Sequence, residues 1–146
     1  MEKTPSKNLR QTKEIAKNFI DKLTEKKEAT IVGLSGDLGS GKTTFTKFIA
    51  SLLGVSENVT SPTFVIEKIY KIKHPFFRRL VHIDAYRLES AAELEKLGFR
   101  EIIKNKENLV IIEWPEKVRG ILPKDTYIIK FEYINPNNRK ISLPKI

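Results

Sequence analysis

Apolar residues recur along this chain with two different periods, and each change of period marks an element. Between Gln11 and Lys26 the residues Ile15, Ala16, Phe19, Ile20 and Leu23 form one helical stripe, with Thr12 placed as its N-cap. The continuous apolar run Ala29 to Leu34 predicts a buried strand. Phe45, Phe48, Ile49 and Leu52 then fall at i, i+3, i+4 and i+7, a helix closing near Gly54. Val65 to Ile72 and Leu80 to Tyr86 predict two strands that can pair as a hairpin across Lys73 to Arg79. Ser90 to Leu97 predicts a short helix with a Ser90–Glu93 capping box, followed by a helical turn from Phe99 to Lys104. Asn108 to Glu113 is another apolar strand, and Pro115 to Arg119 a turn. Thr126 to Tyr133 and Lys140 to Leu143 form a terminal hairpin around Asn135-Pro136-Asn137-Asn138. Residues 1–8 are polar and are expected to fray. The alternation predicts a single α/β domain over residues 1–146, a mixed central sheet flanked by helices.

Composition narrows the class without naming a reaction. A chain of 146 residues, 40% hydrophobic and 31% charged, can bury one sizeable core. No apolar run approaches the roughly 18 residues of a membrane span, and the N-terminus lacks the apolar centre of a secretory signal. Cysteine is absent, which excludes disulfide and thiol chemistry and agrees with an expected cytoplasmic setting. A net charge of +9 biases the protein toward anionic partners. The lysines are spread along the chain, however, and no nucleic-acid motif is present.

The chemistry concentrates in Gly36-Asp37-Leu38-Gly39-Ser40-Gly41-Lys42-Thr43, which fits G-x-x-x-x-G-K-[ST] without a mismatch. A strand precedes it and a helix follows, so a helix N-terminus faces the loop. Glycines let backbone N–H groups crowd onto phosphate oxygens, and the helix end adds about half a positive charge. Lys42 suits the β- and γ-phosphates and the Thr43 hydroxyl suits magnesium. The fold is therefore expected to be that of a phosphate-loop NTPase.

Two carboxylates end predicted strands. Glu113 stands where such a fold places its second magnesium group, and Asp84 can reach a phosphate-bound metal or cap the surface. Trp114, the only tryptophan, either stacks near the nucleotide or fills the core. The hydroxyl-rich Thr60-Ser61-Pro62-Thr63 is either a loop that orders around a γ-phosphate or a plain turn. His74 and His82 lack metal-ligand partners at useful spacing and read as structural. The guanine-reading pattern N-K-x-D is missing, since Asn105-Lys106-Glu107-Asn108 ends without its carboxylate, and no D-x-x-G follows the second strand. A small-molecule kinase would need an arginine-rich lid for which the chain is short. ATP hydrolysis is the better reading, with a nucleotide-gated binding module as the other alternative.

These motifs together resemble the TsaE (YjeE) family of bacterial ATPases in tRNA threonylcarbamoyladenosine biosynthesis. The resemblance runs from Gln11-Thr12 to about Phe131. It rests on the phosphate loop through Thr44, on Thr60-Ser61-Pro62-Thr63-Phe64, on His82-Ile83-Asp84-Ala85-Tyr86-Arg87-Leu88 and on Ile112-Glu113-Trp114-Pro115-Glu116. It implies an ATPase, weak alone, that acts with TsaB and TsaD on adenosine 37 of tRNAs reading codons that begin with A. ATP and magnesium are the implied cofactors, and tRNA is reached through the partner complex. By similarity the nucleotide lies on Asp37, Leu38, Gly39, Ser40, Gly41, Lys42, Thr43 and Thr44, with Thr12 and Trp114 beside it. Lys42 holds phosphates, Thr43 and Glu113 hold magnesium, and Asp84 assists hydrolysis or the metal. Thr60 to Thr63 resembles the family's switch-like loop. Ser40 replaces a frequent alanine, and the basic Lys73 to Arg79 has no counterpart in the family motifs.

Overall fold

Every element of the chain attaches to one seven-stranded sheet in the computed structural model, which describes residues 1–57, 59 and 66–146. The strands are β1 (Glu2–Ser6), β2 (Thr30–Ser35), β3 (Glu67–Lys71), β4 (Arg79–Asp84), β5 (Asn108–Glu113), β6 (Tyr127–Asn135) and β7 (Asn138–Leu143). The helices are α1 (Leu9–Asp21), α2 (Lys42–Leu52), α3 (Ala91–Glu95) and α4 (Phe99–Lys104), with a 3-10 helix at Pro115–Ile121. The spatial order is β1-β7-β6-β2-β5-β4-β3. β2 lies parallel to β5 and β6, and β4 parallel to β5, whereas β3, β7 and β1 join antiparallel. The expected mixed α/β sheet is thus present.

The strands buried on both faces are the continuous apolar runs, as a parallel centre requires. β5 is buried along its whole length, and β2 in all but Ser35. One face packs Leu80, Leu109 and Ile111 against α1 and α2; the other packs Val81, Ile83, Val110 and Ile112 against Leu94 and Phe99. Phe45 anchors α2 from below the site, fully buried and edge-on to Phe131 of β6 at 5.2 Å. Each such side chain contributes about 1.5–3 kcal/mol by leaving water.

Several expectations change at the edges. The first residues do not fray: Glu2–Ser6 pairs with Leu143 to Arg139 of β7. Their polarity suits an edge strand with no core face. Thr12 does not cap α1. Asn8 does, accepting from the Gln11 N–H at 2.9 Å, while Thr12 is buried one turn in with its hydroxyl 2.7 Å from Ser6 Oγ. Ser90 is the N-cap of α3, yet no side-chain capping bond forms, so the capping box is absent. The β3–β4 and β6–β7 hairpins form as expected. Asn135 Oδ1 holds the second turn by accepting from the N–H groups of Asn137 and Asn138. In the basic linker, Arg78 and Arg79 both reach Glu107, at 3.5 and 3.6 Å, and Arg79 also donates to Asn108. Among the described residues no helix is long and apolar enough to cross a membrane.

Candidate nucleotide site

Three elements end at one place: the C-terminal ends of β2, β4 and β5 meet the N-terminus of α2. β2 runs into the glycine loop, and α2 begins at Lys42 itself. Gly41 precedes the helix with φ 107°, a left-handed conformation that glycine adopts without a Cβ penalty. At Gly36 the limit is space, because a Cβ there would lie 2.6 Å from the Phe131 carbonyl oxygen. A cavity of about 410 Å³ opens above the loop. Its lining takes in Leu38, Gly39, Gly41, Lys42, Thr43 and Thr44 from the loop and helix, Asp84, Tyr86 and Arg87 after β4, Glu113 and Trp114 after β5, and Arg139 from β7. Asp37 and the buried Ser40 complete the loop beside it.

Lys42 is buried, and its ammonium donates to the carbonyl oxygens of Gly36 and, at 2.9 Å, Asp37. Burial lowers its pKa below the ordinary 10.5, opposed by the charges of Glu113, Glu116, Asp84 and Asp37. The cation thus rests on the loop's own carbonyls.

Register explains the carboxylates. His82 stands opposite Ile111, and Asp84 opposite Glu113, on neighbouring parallel strands. With a side-chain period of two, His82, Asp84, Ile111 and Glu113 all face the α2 side. Glu113 is 3% exposed, and both its oxygens are bonded: Thr43 Oγ1 donates to Oε1 at 2.9 Å and His82 Nε2 lies 2.6 Å from Oε2. Asp84 is half-buried at the cavity, with Oδ1 accepting from the Tyr86 N–H at 3.0 Å. The two carboxylates therefore occupy different environments.

Trp114 is the only non-glycine residue with positive φ among those described, at 62°. Such a conformation costs about 1–3 kcal/mol and persists where surrounding structure enforces it. Here the Trp114 N–H donates to the Leu34 carbonyl, and Pro115 follows at once. The turn aims the indole at the cavity, 4.3 Å from Lys42 Nζ and 5.0 Å from the Tyr86 ring. Trp114 both lines the cavity and packs against the core on the other side of the sheet.

The oxygen donors fit magnesium. Thr43 Oγ1 and Glu113 Oε1 are 2.9 Å apart, about the edge of an octahedron of oxygens at roughly 2.0–2.1 Å from the ion. Among the described residues no cluster of three or more histidine, cysteine or acidic groups could hold a metal unaided. Such a donor set suits an ion that completes its shell with phosphate oxygens and water.

Thr12 is buried against Ser6 and does not line the cavity. Thr60, Ser61, Pro62 and Thr63 lie outside the described residues. The fold also brings two further residues to the site: His82, bonded to Glu113, and Arg139 on the cavity wall. The Arg139 guanidinium lies against the loop, so near Gly41 that a Cβ there would sit 2.3 Å from its Nη1. It has no ion-pair partner among the described residues. Nothing in the sequence gives the β6–β7 register that brings it there.

Comparison with known proteins agrees with this geometry. The family model for threonylcarbamoyl adenosine biosynthesis protein TsaE matches residues 6–141. A tRNA threonylcarbamoyladenosine biosynthesis protein TsaE from Haemophilus influenzae is 38% identical over 86% of this chain and 75% of its own. Its namesake from Rickettsia typhi is 37% identical over 93% and 90%. The crystal structure of the Bacillus protein YdiB superposes with a TM-score of 0.74 at 30% identity, covering 96% of this chain and 82% of that one. With its phosphate loop, strand-end carboxylates and sheet all accounted for, the chain belongs to the TsaE family of tRNA threonylcarbamoyladenosine biosynthesis proteins.

Proposed function

We propose that this protein binds ATP with magnesium and hydrolyses it in support of tRNA threonylcarbamoylation, acting on a TsaB–TsaD complex. The observation that carries the reading is the Thr43–Glu113 oxygen pair, set across from Lys42 at the N-terminus of α2. Loop N–H groups and the helix end hold the phosphates, and Lys42 exchanges the carbonyls of Gly36 and Asp37 for phosphate oxygens. Magnesium, when bound to Thr43 and Glu113, supplies neutralisation of the charge that develops on the phosphoryl oxygens. Glu113, buried and bonded through both oxygens, suits the metal rather than proton transfer. Asp84, half-exposed beside it, suits the orientation of the attacking water. Arg139 adds a cation on the opposite flank of the loop, where it supports binding of the nucleotide's phosphate chain.

Steady-state ATPase measurements with and without purified TsaB and TsaD test this, beside Lys42→Ala. The expected result is slow turnover that rises with the pair and disappears in the variant. Tight ATP binding with no hydrolysis in either setting would replace the reading by a gated binding module. Glu113→Gln would then leave function intact while Lys42→Ala abolishes it.

A further inference from the structure

His82 is wholly buried on β4, yet its Nε2 lies 2.6 Å from Glu113 Oε2, a carboxylate at the wall of the nucleotide cavity. The contact follows from register. His82 is opposite Ile111, so Glu113, two residues on along the same face, is its diagonal neighbour. The shared hydrogen belongs to Nε2, because an ionised carboxylate only accepts. The other ring nitrogen, Nδ1, is buried without a hydrogen-bond partner among the described residues. The imidazole thus makes one polar contact, and that contact is with the proposed metal ligand. A histidine kept only for packing has no need to meet this carboxylate. Leucine or phenylalanine would fill the space without a buried nitrogen left unpaired.

The consequence for Glu113 is geometric. With Oε2 held from the strand side, the carboxylate cannot rotate about its terminal torsion, and Oε1 is left aimed at Thr43. Without the imidazole, Oε2 would be a buried acceptor with no partner, and the group would turn to find one. We propose that His82 is a positioning residue for the magnesium site: it fixes the Glu113 carboxylate so that Oε1 and Thr43 Oγ1 stand ready as adjacent ligands. This rests on the reading that Glu113 and Thr43 hold magnesium. Outer-shell partners of this kind typically change metal affinity by about 10- to 100-fold.

The test measures binding, without turnover. Calorimetry would follow a non-hydrolysable ATP analogue, with and without magnesium, in the wild-type chain, His82→Phe and His82→Gln. Glutamine can place its amide nitrogen near the position of Nε2, and phenylalanine keeps the volume without a donor. Magnesium-free affinity is expected to stay within about twofold in all three, whereas the gain in affinity given by magnesium falls about tenfold or more in His82→Phe and recovers in His82→Gln. An undiminished magnesium gain in a folded His82→Phe overturns the proposal. So does a loss of affinity that is equal with and without magnesium, which marks a packing role alone. If His82→Phe does not fold, His82→Asn replaces it, its shorter amide falling short of Glu113. Equal magnesium gains in the glutamine and asparagine variants then overturn the proposal. A wild-type chain whose nucleotide affinity ignores magnesium overturns the metal reading itself, and the positioning role with it.

Discussion

On the flank of the phosphate loop toward β5 and β4, polar side chains are already bonded to one another; on the flank toward β6 and β7, Arg139 stands at the cavity wall with no ion-pair partner among the described residues. The first flank is a closed chain, Thr43 to Glu113 to His82, buried in the sheet that carries it. The second is one long side chain from a hairpin, its position set by the turn at Asn135 and by β1 pairing along its other edge. A preformed carboxylate loses little on receiving a metal, because its orientation is already fixed. An unpaired guanidinium loses rotamer freedom when an anion arrives, so it contributes to affinity more than to geometry. On the proposed reading, the first flank serves the reaction and the second the residence of the nucleotide.

Breaking the first flank is expected to have the largest effect. Glu113→Gln keeps the shape but removes the charge, and turnover in the presence of TsaB and TsaD should fall about a hundredfold or more, as the several kcal/mol attributed to metal stabilisation imply. A variant with near-normal turnover would show that the carboxylate is not a metal ligand. Breaking the second flank is smaller and of another kind. Arg139→Ala should weaken ADP and ATP alike by about tenfold, the lower end for a charged hydrogen bond, with kcat nearly unchanged. Loss confined to the triphosphate, or to kcat, would move Arg139 to the reacting end.

A pH series sharpens the comparison at the centre of the loop. Burial lowers the Lys42 pKa below 10.5, so in the folded protein the ammonium is lost at a lower pH than in the unfolded chain. Charged Lys42 therefore weakens the fold below its folded pKa, and that cost is relieved as pH rises through the folded value toward 10.5. Phosphate binding needs the charge, so ATP affinity should decline with rising pH before an ordinary lysine would titrate. Affinity constant up to pH 10.5 would contradict a desolvated cation. The smallest effect lies on β3, next to Ile66 of the cavity wall. Desolvation raises the Glu67 pKa above 4.5, and its Oε1 has no partner among the described residues. Its contribution to stability is present below 4.5 and lost as pH rises through the folded value. Glu67→Gln should leave stability unchanged under acid conditions. Above the folded pKa it should raise stability slightly, by less than about 0.5 kcal/mol after solvent screening. Equal shifts at both ends of the pH range would assign the gain to packing.

The centre of this protein was legible because its signals are local. The phosphate loop is one contiguous motif, β5 was bounded to the residue at Asn108 and Glu113, and the parallel strands announced themselves as unbroken apolar runs. The terminal residues were not legible, since a polar edge strand has no buried face and hence no alternation to read. Asn8 rather than Thr12 caps α1, because asparagine and threonine both cap helices and only the backbone shows which of them stands outside the first turn.

Local sequence suffices for the loop, the helix end behind it and the strand-end carboxylates, because glycine stereochemistry, helix dipole and apolar periodicity act over a few residues. The packed sheet alone brings His82 to Glu113 and sets Arg139 against Gly41, residues far apart in the chain. Those contacts depend on which strands are neighbours and in what register, and register is settled by the packing of the whole sheet rather than by any single segment.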